Sequence, residues 1–522
     1  MPDLNAIVKA YDIRGIVPDQ LDADVAYAIG VAFAKFANAP HIVIAHDMRP
    51  SGPELVDAFQ RGVLAHGVSV TNLGLASSDL LYYASGKLDS PGAMFTASHN
   101  PAQYNGIKCC LSGARSIGID NGLREIHALA TEVLAGREPA FAATAGTLNH
   151  VNMLSEFADH VVKFIASDKL RKLRIVADTA NGMGGLVVPA VFERLADFEL
   201  EVMYGELDGT FPNHPADPLQ TANQRDLMAR VLAGGFDVGL AFDGDADRVF
   251  LVDELGQGMS GSTTTALLAT RFLRLNPGAT ILYNLICSRA VPEIIAEHGG
   301  KGIRTKNGHS YMKQIMAETG AVFAGEHSGH YYFADNYRAD SGLIASMGIL
   351  GEMCRTGSKL SEIRKPLERY ASSGEINTTV ADIGKVIEQI ANRAKSFLPK
   401  PQVSGAKYKE TGLFDDQWYA RTYLGDETKK NLSWSHFLKI GSSLGYDPSV
   451  FFDTDWYLRA NPEVAKSGKN PFLHFLEVGW KQGLDPNPQF SVNHYLITNS
   501  DIKKSGMNPL IHFLKVLAHQ IV

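Results

Sequence analysis

The chain has 522 residues, of which 45% are hydrophobic, 9% aromatic and 20% charged, with a formal net charge of −7. That length is too great for one core and predicts roughly three to five domains, while the charge balance and the lack of basic runs exclude a nucleic-acid footprint and no apolar run is long enough to span a bilayer. Cys109, Cys110, Cys287 and Cys354 are too few and too scattered for a disulfide framework or a zinc site. With a start, Met1-Pro2-Asp3-Leu4-Asn5, that lacks a charged segment followed by an apolar one, they predict a reducing, cytoplasmic setting.

Residues 1–147 alternate strand and helix. Val25, Ile29, Ala32, Phe33 and Phe36 recur at helical spacing, residues 41–45 form an apolar strand, and Leu55, Phe59 and Val63 mark a second helix. This βαβα order argues for a mostly parallel sheet covered by helices. Residues 92–95 read as a buried strand, and Thr96-Ala97-Ser98-His99-Asn100-Pro101 forms the loop behind it, with Lys108 ten residues beyond Ser98. A serine at the carboxyl end of a strand sits where open α/β sheets place their chemistry. A free hydroxyl is a weak nucleophile and needs a base, a charge stabiliser or a metal. Cys109 and Cys110 are expected to be inert in a strand.

Residues 148–255 form a second α/β unit. Residues 173–177 are a strand, and Asp178-Thr179-Ala180-Asn181-Gly182 turns into a helix. The loop Asp208-Gly209-Thr210-Phe211-Pro212-Asn213-His214-Pro215 is turn chemistry and reads equally as a plain connection or a functional loop. Residues 238–242 are apolar and end in Asp243-Gly244-Asp245-Ala246-Asp247-Arg248. Three carboxylates with small spacers can wrap one hard cation, and oxygen ligands suit Mg²⁺. A calcium hand is excluded: its sixth position needs glycine but holds Arg248, although Glu254 falls at the twelfth. A solvated acidic turn is disfavoured because three like charges so close together repel.

Residues 256–368 form a third unit. Strands at 280–285 and 321–324 flank Lys306-Asn307-Gly308-His309 and lead to Gly325-Glu326-His327-Ser328-Gly329-His330. Glycines at the ends of that loop keep backbone close to a ligand. Glu and Ser supply an acceptor and a donor-acceptor for neighbouring hydroxyls.

Together, Thr-Ala-Ser-His-Asn-Pro with Tyr104-Asn105-Gly106-Ile107-Lys108, Asp-Gly-Asp-Ala-Asp-Arg, and Gly-Glu-His-Ser-Gly-His resemble the three active-site loops of the α-D-phosphohexomutases, over roughly residues 5–398. The resemblance implies three consecutive mixed-sheet α/β domains, a partial fourth α+β domain at 369–400, and a phosphomannomutase or phosphoglucomutase activity. Such enzymes interconvert hexose 6-phosphate and hexose 1-phosphate through a phosphoserine and a bisphosphate intermediate. It implies Ser98 as phosphoryl carrier and metal ligand, Mg²⁺ on Asp243, Asp245 and Asp247, and hexose 1,6-bisphosphate as activator. Lys108, His99 and Arg14 would serve catalysis, with Lys108 a general base if its pKa falls. Tyr11, Arg248, Lys306, His309, Glu326, Ser328 and His330 would bind substrate. Tyr331-Tyr332-Phe333 and Glu-His-Ser favour mannose phosphate, with glucose phosphate second.

From Ser373 a fourth domain is expected to begin, with a strand-like run at 375–380 and an amphipathic helix at 383–397. The family's phosphate loop in that domain, Arg-x-Ser-Asn-Thr, does not occur in this chain, so reduced turnover is expected. Residues 405–522 repeat instead: Phe414, Phe452 and Phe490, Tyr419, Tyr457 and Tyr495, and His436, His474 and His512 all recur every 38 residues. That period predicts three helical units that bury apolar faces against one another, with histidines of structural rather than metal-binding role. The repeats are similar to ones found in bacterial polysaccharide-related proteins and would recruit a protein partner. The competing reading is a non-catalytic sugar-phosphate-binding or scaffold protein for polysaccharide synthesis.

Overall fold

The computed structural model describes residues 3–165, 169–370, 380, 382–387, 389 and 413–520. The chain divides into two compact units, Met1–Ser373 and Gly374–Val522.

The first unit contains three sheets among the described residues. In the first, the strands His41–His46, Ser69–Leu75 and Gly92–Phe95 run parallel, as the alternating helices require. The sheet is nevertheless mixed. Tyr104–Leu111 pairs antiparallel with Gly92–Phe95 and with Ile13–Ile16. Only the loop 96–103 joins Gly92–Phe95 to Tyr104–Leu111, too short for a crossover, so the chain must turn back on itself. The strand Leu148–His150, assigned by sequence to the second unit, pairs instead with Ser69–Leu75 of the first sheet.

The second sheet sets Leu173–Asp178 parallel to both Phe198–Met203 and Val238–Phe242, and Val249–Asp253 antiparallel to the latter. The third sets Thr280–Asn284 parallel to Lys301–Thr305 and Phe323–Gly325. Each sheet therefore points the carboxyl end of a fully buried strand at one place: Gly92–Phe95, Val238–Phe242 and Phe323–Gly325. All three predicted loops begin at such an end, where converging apolar strands can position polar side chains without exposing the core.

Cys109 and Cys110 lie within Tyr104–Leu111, both buried, and burial pushes both thiols above their usual pKa. The strand-like run expected at 375–380 lies outside the described residues apart from Val380. Of the helix expected at 383–397, residues 383–387 and 389 are helical, with Ile383 and Ile387 exposed.

The second unit is helical over residues 413–520 and holds one aromatic core that includes Phe414, Tyr419, Phe452, Tyr457 and Phe475. The recurring histidines are structural: Tyr419, Tyr457 and Tyr495 meet Nδ1 of His436, His474 and His512 at 2.9, 3.0 and 2.9 Å. Successive repeats are also tied through the main chain, Asp415 N to Pro448 O at 3.0 Å and Asp453 N to Pro486 O at 3.1 Å.

Candidate active site

Ser98 is buried, at 5% exposure, in the left-handed region at φ 49°. Its amide donates to Thr96 Oγ1 at 2.9 Å. This turn aims the hydroxyl across a domain boundary: Ser98 Oγ donates to Asp243 Oδ2 at 2.7 Å, 145 residues away in sequence. Arg248 reaches the same oxygen through Nη2 at 3.2 Å and holds Asp243 Oδ2 through Nε at 2.9 Å. Gly244 allows this approach, since a Cβ there would lie 2.4 Å from Ser98 O.

Asp243, Asp245 and Asp247 are all buried and bring one oxygen each within 4.8 Å of the others. Lys108 compensates two of them, donating to Asp245 Oδ2 at 2.6 Å and to Asp247 Oδ2 at 2.7 Å. Burial raises the Asp243 carboxyl to about 7. Burial acts on Asp245 in the same sense, but the Lys108 ammonium and the Ser78 hydroxyl hold it well below the usual range. Asp245 Oδ1 and Asp247 Oδ1 are buried with no hydrogen-bond partner. Orphaned carboxylate oxygens in a cluster of three acids fit a hard divalent cation such as Mg²⁺. Glu254 takes no part: it accepts from Ser361.

Burial opposes the Lys108 charge, yet Asp245 and Asp247 raise its pKa well above the usual value. In this arrangement Lys108 is a cation, the reverse of what a general base requires. His99 Nδ1 lies 3.3 Å from Ser98 Oγ. The Arg248 charge, burial and Arg14 hold the His99 imidazole neutral, well below its usual pKa. Arg14 donates to Asn100 Oδ1 at 2.6 Å, and its Nε is buried without a partner.

The third domain supplies a second half to the site. Glu326, 4% exposed, accepts from Ser328 Oγ at 3.1 Å and Tyr332 Oη at 3.2 Å. His330 Nδ1 sits 2.8 Å from Asp340 and 3.6 Å from Asp247 Oδ1, which joins this loop to the acidic cluster. Tyr11 Oη donates to Asn307 O at 2.8 Å, and its ring packs edge-on against His309 at 5.7 Å. Both ring nitrogens of His309 are buried without partners. Lys306 stands apart: it is exposed, with Nζ 5.7 Å from the Tyr311 ring centroid.

Sequence reasoning missed four contributors. Ser78 donates to Asp245 Oδ2 at 2.5 Å. Asp340 anchors His330, and Lys313 faces Asp340 Oδ1 at 3.2 Å and the Tyr82 ring at 3.5 Å. Arg49 lies beneath the Ser98 loop. None sits in a motif; each reaches the site through space from an ordinary helix or turn.

Residues 5–134, 155–256 and 260–370 match the models of phosphoglucomutase/phosphomannomutase alpha/beta/alpha domains I, II and III. The chain is 35% identical over 402 residues to a phosphomannomutase/phosphoglucomutase of Pseudomonas syringae, covering 76% of this chain and 84% of the relative. It is 35% identical over 388 residues to a phosphomannomutase of Escherichia coli, covering 73% and 85%. Among solved structures it is similar to a phosphoglucomutase/phosphomannomutase family protein from Burkholderia thailandensis, with TM-score 0.65 and 33% identity, over 71% of this chain and 81% of that one.

Proposed function

The chain belongs to the phosphoglucomutase/phosphomannomutase family, and from that premise we propose how its residues carry out hexose-phosphate mutase chemistry. Ser98 is the phosphoryl carrier. The observation that carries this reading is the meeting of Ser98 Oγ with Asp243 and Arg248 at 2.7 and 3.2 Å across 145 and 150 residues.

A hexose hydroxyl attacks the phosphorus on Ser98. Its oxygen bonds to phosphorus, the bond from phosphorus to Ser98 Oγ breaks, and the proton the hydroxyl gives up balances the one Ser98 Oγ takes. His99 Nδ1 lies 3.3 Å from Ser98 Oγ, within reach of that proton, while Arg248 and burial disfavour its charged form. The bisphosphate then turns over and its other phosphate returns to Ser98. Asp243, Asp245 and Asp247, with Ser98, would hold Mg²⁺, which when bound supplies positive charge against the transferring phosphoryl oxygens. Lys108, Arg248 and Arg14 add fixed positive potential beside the buried Ser98 and its three aspartates. Glu326 and Ser328 grip the sugar hydroxyls in either orientation, His309 and His330 line the same cleft, Tyr11 packs against His309, and Lys306 stands apart from them.

Mannose phosphate is the favoured substrate, glucose phosphate the second, and hexose 1,6-bisphosphate the activator. With no Arg-x-Ser-Asn-Thr loop in the chain, the non-reacting phosphate loses two or three charge-assisted hydrogen bonds of about 1.5–3 kcal/mol each. A rate at least about 10²-fold below that of an enzyme carrying the loop follows. The test is a coupled assay on the whole chain with mannose 1-phosphate or glucose 1-phosphate, Mg²⁺ and a trace of bisphosphate, alongside Ser98→Ala. Release of 6-phosphate by the wild type, a phosphate on Ser98 by intact mass, and neither in Ser98→Ala support the assignment. A wild type with no phosphoserine and no turnover refutes it.

A further inference from the structure

Arg49 is 1% exposed, and each of its five N–H bonds has an acceptor. Nε faces Asp47 Oδ2 at 3.2 Å. Nη1 donates to Pro101 O at 2.9 Å and Tyr104 O at 2.8 Å, and Nη2 to Ser98 O at 2.9 Å and Asn100 O at 2.8 Å. Four of the five donors thus serve main-chain carbonyls, three in the loop that carries Ser98 and one at Tyr104, the first residue of the strand behind it. Asp47 fixes the arginine in turn, accepting its backbone N–H at 3.0 Å.

Carbonyl dipoles that converge on one point repel one another unless a cation gathers them, and Ser98 occupies a backbone conformation that a residue other than glycine adopts reluctantly. The second domain closes over the guanidinium. The Phe211 ring lies 5.2 Å from its central carbon, and a Cβ on Gly209 would fall 2.6 Å from Arg49 Cα. The loop 208–215, ambiguous in sequence, is therefore the cover of this contact.

We propose that Arg49 is a positioning residue for phosphoryl transfer: it gathers the carbonyls of residues 98–104 so that Ser98 Oγ stays on Asp243 and Arg248, and Phe211 locks it there. The inference rests on Ser98 as the phosphoryl carrier. Arg49 touches neither the Ser98 hydroxyl nor the groups assigned to the sugar; it acts through the backbone. Lysine cannot replace it, because an ammonium has three donors and no planar fork.

The experiment compares wild type, Arg49→Lys and Phe211→Ala in the full chain, with kcat expressed per mole of phosphorylated Ser98 measured by intact mass. That normalisation removes any loss of folded protein, which a merely structural role would cause. For Arg49→Lys the expected result is a fall in kcat of about 100-fold with KM held within about threefold. An unchanged normalised kcat, or a rise in KM with kcat retained, overturns the proposal. Should Arg49→Lys fail to fold, Phe211→Ala decides. It leaves the five hydrogen bonds in place, so a fall in normalised kcat of about tenfold at constant KM supports the proposal, and an unchanged kcat overturns it. A wild type without phosphoserine or turnover counts against the carrier role of Ser98 instead, and so is read separately.

Discussion

Gly244→Ala places a single methyl group between the two loops that must meet. The new Cβ would lie 2.4 Å from Ser98 O, where ordinary contact begins at 3.4 Å, so the loops must part by about 1 Å. Neither side can yield easily. Ser98 O is held by Arg49 Nη2 at 2.9 Å. Gly244 O accepts from Met183 N at 2.8 Å, and a Cβ on Gly182 would already press that oxygen at 2.6 Å. The displacement therefore passes to the 2.7 Å contact between Ser98 Oγ and Asp243. A misplacement of about 1 Å costs about 10²-fold in rate, equivalent to about 2.7 kcal/mol of transition-state stabilisation. Overpacking strain of about 1–3 kcal/mol would lower folding stability as well. The assay is kcat/KM for release of hexose 6-phosphate, paired with a thermal melt to confirm folded protein. The expected kcat/KM is about one hundredth of wild type. A folded Gly244→Ala protein that keeps more than about a third of wild-type kcat/KM would show that close approach of these loops does not govern the chemistry.

Two further outcomes follow from other parts of the molecule. His214 directs Nδ1 at Pro215 O, 2.9 Å away, and Nε2 at Asp178, 3.0 Å away, with the Tyr204 ring edge-on at 5.4 Å and Asp226 contributing charge. Burial by itself would lower its pKa, but the hydrogen bond and charge of Asp178 raise it above the ordinary 6.5. The stabilisation is therefore complete below about pH 6.5 and fades as pH rises through the folded-state value. The melting-point advantage of wild type over His214→Gln should shrink between about pH 6 and about pH 9, and a difference constant across that range would contradict the assignment. In the repeats, Tyr457→Phe removes the hydrogen bond to His474 at 3.0 Å, worth about 1 kcal/mol. All four tryptophans, at 418, 434, 456 and 480, lie in the second unit, so their fluorescence reports its unfolding alone. That transition should move to lower temperature while the mutase rate stays unchanged; a rate that falls in step would tie the repeats to catalysis.

The residues legible in sequence share one property: their chemistry sits on consecutive positions at a strand end. Ser98 follows a strand of four fully buried residues, Asp243 one of five, and Glu326 one of three. Apolar runs that stop at polar, glycine-bearing loops can be read directly, and so could these. Arg49, Ser78, Lys313 and Asp340 carry no such mark. Ser78 lies in the first turn of the helix Ser78–Lys87, which reads as plain capping chemistry, and Arg49 in a turn whose partners are carbonyls that every residue possesses. The direction of the Lys108 pKa was equally hidden. It depends on whether arginines or aspartates lie closest, and the structure puts two aspartates within 2.7 Å.

The sequence by itself determined where strands end, which loops bear the hydroxyl, the acids and the Glu326 and Ser328 pair, and that the tail repeats every 38 residues. These follow from short-range rules, the alternation of apolar runs with turn residues and the period of side chains along the chain. Only the tertiary structure decided that Ser98, Asp243 and Arg248 share one hydrogen-bonded centre, that Lys108 stays charged, and that Phe211 caps Arg49. Those facts depend on how three separately built sheets turn their strand ends toward one another, and electrostatics and hydrogen bonding act over a few ångströms of space whatever the number of residues between the partners.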